Sequence, residues 1–203
     1  MNVAEGFPNG SIMGERVRHH DWASTSLGSI ATWPQSLKSL VHLVLAAPLP
    51  MNLLWGPELI QIYNDAYAPL MGLKHPAGLG QPAAECWHEV WEVAGPLYVR
   101  VFAGEPVVLE NSQWILNRQG VPEAAWFDNY LVPVLDENGA VGGAHVIAFE
   151  TTGRVKAAEE RDQSEQALRA SETRLQSAID LVGLSPYTWN PATGALDWDA
   201  RLK

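Results

Sequence analysis

The sequence predicts an α+β domain in which an antiparallel five-stranded sheet is covered by helices on one face. Two short apolar runs come early in the chain, three longer strand-like runs come late, and helical segments lie between them. The five predicted strands are 51–55, 59–63, 107–117, 124–135 and 141–151. Gly56-Pro57-Glu58 separates the first two strands, and Asn138-Gly139 separates the last two. Both are hairpin sequences, which makes the neighbouring strands antiparallel.

Composition and charge exclude some classes of function. With 203 residues, of which 47% are hydrophobic, the chain can bury one core and leave an appendage outside it. The formal net charge is −10, and no cluster of Lys and Arg with interleaved aromatic residues offsets it. Because phosphate backbones repel such a chain, we expect no nucleic-acid binding.

The sequence favours a cytoplasmic location. Cys86 is the only cysteine, so an internal disulfide is excluded and a reducing compartment is compatible. Residues 1–20 contain no apolar segment typical of a secretory signal. The longest apolar run, 40–54, is interrupted by polar residues and prolines and is shorter than the about 20 residues that cross a bilayer. We therefore expect no membrane contact in this segment.

The N-terminal part of the chain is predicted to hold an arm and a cap. Residues 1–20 have no hydrophobic periodicity, which predicts a flexible arm. The segment 21–47 is predicted to be an N-terminal helical cap. Within it, apolar residues recur at helical spacing over 33–46, giving an amphipathic helix that packs either on its own domain or on a second copy. Two further helices are predicted between the strands, at 83–93 and 96–103.

A change of composition after Thr152 predicts a long helix over 153–183. This segment has no proline and is rich in Ala, Glu, Gln and Arg. Apolar residues with heptad spacing follow one side of it: Leu168, Leu175, Ile179 and Val182. The other sides are too polar for the helix to be stable alone. We expect a parallel homodimer through this stripe; packing of the helix back on its own sheet is the alternative.

The last segment, 184–203, has the pattern of an opening hairpin. Strand-like residues flank Pro191-Ala192-Thr193-Gly194, which is a turn sequence. No further strands follow to complete a sheet around this hairpin. We therefore expect the chain to end inside a second domain and to be part of a longer protein.

Three segments carry a family resemblance: DWASTSLGSIATWP at 21–34, LLWGPELIQIYNDAYAPLMGLKHPAGLGQPA at 53–83 and AWFDNYLVPVLDENGAVGGAHVIAFETT at 125–152. In this order they resemble the N-terminal PAS sensor domain of bacterial multidomain sensor histidine kinases. RASETRLQSAID and SPYTWNPATGALDWD resemble the linker and the first hairpin of a second PAS domain. The resemblance implies a PAS domain at 48–152, a signalling helix at 153–183 and a truncated second PAS domain at 184–203.

The resemblance also implies a function. A PAS domain here would be a sensory input and dimerisation module of a two-component signal-transduction protein, with no catalysis in this chain. Its partners would be the downstream PAS and kinase domains of the same polypeptide. No particular ligand is implied, because PAS domains bind haem, flavin, small acids, aromatic compounds or nothing detectable. The alternatives are a ligand-free structural scaffold and a cofactor-binding photo or redox sensor.

Aromatic residues cluster between the predicted sheet and its helices. Large aromatic side chains with a few polar neighbours can line a cavity for a small molecule, and they can equally fill a core. Both interpretations stay open for each residue. The candidate pocket residues are Tyr63, Asn64, Tyr67, Trp87, Trp91, Trp114, Trp126, Asn129 and His145.

No cofactor is assigned from the sequence, and a chain without a retained cofactor is the favoured interpretation. Cys86 invites comparison with flavin blue-light sensors, but its context, Ala84-Glu85-Cys86-Trp87-His88, differs from their Asn-Cys-Arg-Phe-Leu-Gln motif. His75 and His145 could each be an axial ligand of haem, although a single histidine is more often hydrogen-bonded or exposed. Haem and flavin therefore stay as alternatives, and no metal site is predicted.

Signal transfer is predicted at Glu150, Thr151 and Thr152, where the last strand passes directly into the long helix. A ligand or partner that changes the core would shift the packing of the helix through this junction.

Overall fold

The computed structural model describes residues 10–182 and 187–198. Within them the helices are α1 Ile12–His19, α2 Gln35–Ala46, α3 Ala68–Met71, α4 Ala83–Cys86, α5 Trp91–Phe102 and α6 Thr152–Val182. The strands are β1 Met51–Trp55, β2 Ile60–Tyr63, β3 Val107–Leu116, β4 Glu123–Leu135, β5 Val141–Glu150, β6 Tyr187–Trp189 and β7 Leu196–Trp198. Short 3₁₀ turns lie at Trp22–Ser24, Ile30–Thr32, Gly72–Lys74 and His88–Val90. The chain divides into two compact units, Met1–Gly153 and Arg154–Lys203.

The first unit is built on a five-stranded sheet with the strand order β2-β1-β5-β4-β3. Each neighbouring pair in this sheet is antiparallel. Helices α3, α4 and α5 lie between β2 and β3 along the chain. The predicted five-stranded antiparallel sheet is therefore confirmed, and the observed strands agree with the predicted ones to within one residue at each end.

The hairpin of β1 and β2 is buried on both of its faces. On the inner face, Asn52 and Leu54 lie opposite Val146 and Ala144 of β5, while Leu53 points to the outer face. Helix α5 contacts the inner face at β3, β4 and β5, and α2 packs on β1 and β2 from the outer side. Every residue of β1 and β2 is buried as a result. This explains why both runs are almost continuously apolar instead of alternating.

Helix α2 packs on its own domain, which decides between the two alternatives for the amphipathic helix. Its buried stripe is formed by Leu37, Val41, Val44 and Leu45. The first turn is held by Glu137 of the β4–β5 turn, whose carboxylate accepts a hydrogen bond from the Ser36 N–H at 2.7 Å. Helices therefore cover both faces of the sheet at its β1–β2 edge. The sequence predicted helices on one face, and α2 adds a second layer on the other face at this edge.

Part of the predicted flexible arm is a helix. Helix α1 begins after Ser11, whose hydroxyl accepts a hydrogen bond from the Gly14 N–H at 2.9 Å. Met13 and Val17 are fully buried, and the Met13 N–H donates to the Asp65 carboxylate at 2.8 Å. The arm prediction is wrong for residues 12–19, because two turns are too short to display a clear hydrophobic period. Residues 1–9 lie outside the described residues.

The second unit contains most of α6 and a small hairpin. Along the predicted stripe of α6, Leu168 and Leu175 are 59% and 64% exposed, and Ile179 is half-buried. The side chain of Val182 lies outside the described residues. Strands β6 and β7 pair antiparallel around a turn at 190–194. Neither α6 nor any other described helix is long and apolar enough to cross a membrane.

Candidate functional site

A cavity of about 90 Å³ lies between the inner face of the sheet and the helices that cover it. Its floor is formed by residues of the sheet: Leu109, Trp114, Leu116, Phe127, Asn129, Leu131, Val146 and Ala148. Its roof is formed by residues of α5 and the segments before it: Tyr67, Leu70, Trp87, Val90, Trp91, Ala94, Leu97 and Tyr98. An apolar cavity with a few convergent polar groups is typical of a small-ligand site.

The electrostatics of the cavity suit a neutral molecule. Among the described residues, no charged side chain lines it; the polar groups include the Asn129 amide and the hydroxyls of Tyr67 and Tyr98. Burial raises the pKa of Tyr67 to about 12 and also raises the pKa of Tyr98. Both phenols are therefore neutral at physiological pH. Because nothing in the lining would pair with an ionic group, a charged ligand would lose its hydration without compensation.

The structure brings five of the predicted pocket residues together around this cavity. They are Tyr67, Trp87, Trp91, Trp114 and Asn129. The other four predicted residues do not line it: Tyr63, Asn64, Trp126 and His145. Trp126 and His145 do not line the cavity because they lie on the other face of the sheet. Tyr63 and Asn64 do not line it because their side chains form hydrogen bonds with other segments.

Trp126 and His145 point to the outer face of the sheet. Trp126 is adjacent to Phe127, which points inward and lines the cavity, and His145 lies opposite the outward-facing Leu53. Burial lowers the pKa of His145, and its Nε2 has no hydrogen-bond partner within the described residues. A shift of one residue along a strand changes the face of the sheet, so strand-like composition alone did not place these two side chains.

Tyr63 holds the segment that follows α3. Its hydroxyl lies 3.1 Å from Nδ1 of His75, and the two ring centroids are 5.9 Å apart. Burial raises the pKa of Tyr63 and lowers the pKa of His75, so both groups of the pair are neutral. Tyr63 is fully buried, and its hydrogen bond connects β2 to the segment after α3.

Asn64 joins the end of α2 to the β1–β2 hairpin through five hydrogen bonds. Its amide nitrogen donates to the carbonyls of Val44, Ala47 and Leu49 at 3.0, 3.0 and 2.7 Å. Its amide oxygen accepts from the N–H groups of Met51 and Tyr67 at 3.1 and 2.9 Å. The side chain is 1% exposed, so these backbone groups have little access to water as alternative partners.

A buried polar group on the inner face positions Trp87 in the roof. Gln61 Oε1 accepts hydrogen bonds from the Trp87 indole N–H at 2.9 Å and from the Asn52 amide at 3.0 Å. Asn52 and Gln61 are 2% and 0% exposed. Neither residue was among the predicted pocket residues. Each is a lone polar residue inside an apolar strand, and this pattern could have identified them. A polar side chain is costly to bury unless it is hydrogen-bonded.

Arg118 connects the cavity to the end of β5. Its guanidinium forms two hydrogen bonds with the Glu150 carboxylate, at 2.8 and 3.2 Å, and a third with Glu123 at 2.8 Å. It also lies over the ring of Phe127 at 5.6 Å and 3.5 Å from the carbonyl of Leu70. Phe127 and Leu70 both line the cavity. Arg118 lies in the β3–β4 loop, and no sequence motif around it indicates this contact.

The predicted junction residues form a hydrogen-bonded connection at the start of α6. The Thr152 hydroxyl donates to Glu150 at 2.8 Å and accepts from the Trp126 N–H at 3.0 Å. The Thr151 N–H donates to the Trp126 carbonyl at 2.7 Å. The first residue of α6 is therefore bonded to the same carboxylate that Arg118 binds.

Comparisons with known proteins find similar solved structures only. No protein-family model and no curated protein matches the chain. An RNA-binding light-oxygen-voltage receptor is 21% identical with a TM-score of 0.45, over 73% of this chain and 41% of the receptor. The PAS domain of a protein from Colwellia psychrerythraea is 16% identical with a TM-score of 0.44, over 58% of this chain and 98% of that domain. The PAS domain of Bordetella pertussis BvgS is 17% identical with a TM-score of 0.41, over 65% of this chain and 99% of that domain.

The topology agrees with the family resemblance of the sequence. The strand order is β2-β1-β5-β4-β3, and α3 to α5 are inserted between β2 and β3 above the inner face. Two strands, inserted helices and three further strands follow one another as the sequence predicted, and the fold is PAS-like. The predicted fold class is thus confirmed, and the long C-terminal helix follows the last strand of the PAS-like sheet directly.

The residues of the PAS-like domain do not fit a flavin adduct or a haem ligand in this cavity. Cys86 does not line it, and burial raises the pKa of the Cys86 thiol, which disfavours the reactive thiolate. His75 and His145 do not line it either. The volume of about 90 Å³ is well below the roughly 300–1,000 Å³ of pockets that hold cofactors as large as haem or flavin. Within the described residues, no cluster of His, Cys, Asp or Glu could hold a metal ion.

We expect Asn64→Ala to destabilise the PAS-like domain by about 2–4 kcal/mol, because it leaves several buried backbone groups without partners. Urea denaturation followed by fluorescence measures the change in the free energy of unfolding. Asn117→Ala is the matched control, since that side chain is exposed, and should change stability by less than about 0.5 kcal/mol. Equal effects of the two substitutions would contradict the structural role of Asn64.

Proposed function

We propose that this chain is the sensory input module of a bacterial signal-transduction protein, in which a small molecule in the cavity alters α6. One observation carries the proposal. Arg118 contacts two residues of the cavity lining and also binds Glu150, which is hydrogen-bonded to the first residue of α6. A change in the shape of the cavity can therefore reach the helix through a single side chain.

The burial of Arg118 makes this connection sensitive to small displacements. The Arg118 side chain is 9% exposed, and those of Glu150 and Glu123 are 29% and 36% exposed. A guanidinium held away from water is stable only while its carboxylate partners stay in place. We propose that a ligand which displaces Phe127 or Leu70 shifts the guanidinium, and with it the bonds of Glu150 and Thr152. The helix then changes its packing or rotation.

The proposed ligand is neutral, small and mostly apolar, with one group that can hydrogen-bond to Asn129. The absence of charge among the described lining residues supports this chemistry, as does the set of aromatic rings around the cavity. No catalytic role is proposed for this chain. The alternative of a ligand-free scaffold predicts that no small molecule binds in the cavity.

The proposed output is a histidine kinase in the same polypeptide, located in the cytoplasm. The family resemblance of the sequence supports this assignment, and the hairpin of β6 and β7 after α6 supports a second PAS-like domain between sensor and kinase.

We propose that α6 pairs with α6 of a second copy in a parallel homodimer. Leu168, Leu175 and Ile179 lie on one side of the helix at heptad spacing, and the first two are more than half exposed. Pairs of polar residues four apart follow other positions, among them Glu165 with Arg169 and Gln176 with Asp180. Such a helix gains most from burying its leucine stripe against an identical stripe.

Binding of 4-fluorophenol, a neutral ring compound with one hydroxyl, tests the sensory proposal. We expect ¹⁹F NMR to detect binding, and Ala94→Leu, which fills the cavity from its roof, to weaken it at least about tenfold. Val93→Leu is the matched control, because Val93 is the preceding residue of α5, is 64% exposed and does not line the cavity. Absence of binding, or binding that Ala94→Leu leaves unchanged, would favour the scaffold.

Arg118→Met tests the connection between cavity and helix. The substitution keeps the aliphatic stem and removes the charge, so Glu150 loses its bonds to the guanidinium and stability falls by roughly 1–3 kcal/mol. We expect 4-fluorophenol to change the hydrogen exchange of amides 152–158 in the unaltered chain and to have no such effect in Arg118→Met, with affinity nearly unchanged.

Glu150→Gln should likewise abolish the effect of 4-fluorophenol on the hydrogen exchange of amides 152–158. Glu123→Gln should keep that effect, because Glu123 contacts Arg118 but not Thr152. If Arg118→Met and Glu150→Gln both respond like the unaltered chain, the signal does not pass through this ion pair.

Sedimentation velocity tests the dimer. We expect the double substitution Leu168→Glu and Leu175→Glu to convert the dimer into a monomer, since it places four carboxylates in the proposed seam. Leu181→Glu is the control, because Leu181 is 89% exposed and lies off the stripe. A monomer in the unaltered chain would refute dimerisation through α6.

A further inference from the structure

A large groove lies outside the cavity, at the end of the sheet where the β1–β2 and β4–β5 turns meet α5. Its volume is about 980 Å³, roughly ten times that of the cavity. The apolar part of its lining includes Trp55, Leu59, Trp91, Tyr98 and Phe102. Nothing in the function proposed above assigns a role to this groove.

Two residues, Trp91 and Tyr98, line both the groove and the cavity. They lie seven residues apart on α5 and therefore on the same side of the helix. Their rings are stacked, with centroids 5.6 Å apart and planes inclined by 16°. The stacked pair thus forms a partition between the small cavity and the large groove.

Gly95 allows the rings of Trp91 and Tyr98 to stack. A Cβ atom at this position would lie 3.2 Å from Nε1 of Trp91, closer than most such contacts. The absence of a side chain lets the Trp91 indole lie along the helix surface, where it meets Tyr98. Gly95 also lines the groove.

Within the part of the chain that the structure describes, the partition lacks the indole hydrogen bonds that hold Trp87 and Trp114. The indole N–H of Trp87 donates to Gln61 at 2.9 Å, and that of Trp114 donates to Ser112 at 3.0 Å. Within residues 10–182, by contrast, no hydrogen bond of this kind holds the Trp91 indole, and none holds the Tyr98 hydroxyl to another residue. Both residues are only half-buried. Side chains with one open side and no polar anchor change rotamer most readily.

The cavity is small for a ring compound. An engineered cavity that binds benzene has about 150 Å³, whereas this one has about 90 Å³. The floor is held by the hydrogen bonds of three paired strands, and Trp87 is held by Gln61. Displacement of Trp91 and Tyr98 would open the cavity into the groove without breaking a strand pair.

We propose that the groove is the entrance to the cavity and that Trp91 and Tyr98 form its gate. This proposal rests on the function proposed above, in which a small molecule occupies the cavity. The gate residues control how fast the ligand enters and leaves, whereas the remaining lining sets how tightly it is held.

The charges of the groove add selectivity against anions. Asp136 and Glu137 line it, and each carboxylate already accepts backbone hydrogen bonds: Asp136 from Asn138 and Ala140, and Glu137 from Ser36. These bonds lower the pKa of both carboxyl groups, so they stay negative at neutral pH. A neutral aromatic molecule can therefore cross the acidic groove and bind in the uncharged cavity, while an anion is repelled at the entrance.

The rates of 4-fluorophenol exchange, measured by ¹⁹F NMR line shape and saturation transfer, test the gate. We expect Trp91→Ala to raise kon and koff together by about tenfold, with Kd changed less than about threefold, and Trp91→Phe to give intermediate rates. Tyr98→Ala should also raise both rates. Val99→Ala is the matched control, because Val99 lines the groove alone, is 71% exposed and should leave both rates unchanged.

The outcomes distinguish the gate from the site itself. If koff rises in Trp91→Ala while kon stays constant, Trp91 is a contact residue of the bound ligand and the gate is refuted. If Ala94→Leu does not weaken binding, or if 4-fluorophenol does not bind the unaltered chain, the cavity is not the site and both proposals fail. Thermal unfolding and the circular dichroism spectrum of each variant establish that the rates belong to folded protein.

Discussion

Burial of the β1–β2 hairpin between two layers of helices is the constraint on which the rest of the structure depends. Leu53 and Ile62 are fully buried under the outer layer, and Leu54 is 1% exposed under the inner one. A hairpin with no face open to water must satisfy most of its polar groups internally, although Asn52 Oδ1 has no hydrogen-bond partner within the described residues. Asn64 does so by bonding the end of α2, and Gln61 does so by bonding Asn52 and Trp87. The same requirement therefore fixes the outer helix and part of the cavity roof.

The walls of the cavity differ in how they are held in place. Paired strands form the floor, and the hydrogen bond of Trp87 fixes one part of the roof. Arg118 touches the lining through Phe127 and Leu70, while Trp91 and Tyr98 separate the cavity from the groove. A ligand that enters past the aromatic pair would press on a wall that ends in an ion pair. In the two proposals, access and signalling therefore depend on different side chains.

The distribution of charge gives the ion pair its importance. The chain carries a net charge of −10, yet no charged side chain lines the cavity within the described residues. Arg118 is the one charged residue that is buried among them. A buried cation is costly to leave unpaired, so its position follows that of Glu150 and Glu123 closely. Because Glu150 also bonds Thr152, the position of the cation is linked to the first turn of α6.

The sequence by itself determined the order of the strands along the chain, the hairpin turns, the long polar helix and the family resemblance. These features depend on local patterns: apolar runs of strand length, Asn138-Gly139 and the heptad spacing of Leu168 and Leu175. The cavity was only partly predictable. Aromatic residues such as Trp87 and Trp114 were recognised as candidates, but so was Trp126, because composition does not specify which face of a strand a side chain occupies.

Only the tertiary structure decided the roles of Arg118, Asn64 and the pair Trp91 and Tyr98. Arg118 meets Glu150 from a loop 32 residues away, and Asn64 bonds carbonyls 15 to 20 residues before it. Contacts between distant segments depend on how the sheet and its two helical layers pack, and no local pattern records them. The position of α1 has the same origin, since its two buried apolar side chains, Met13 and Val17, pack against a core that the rest of the chain builds.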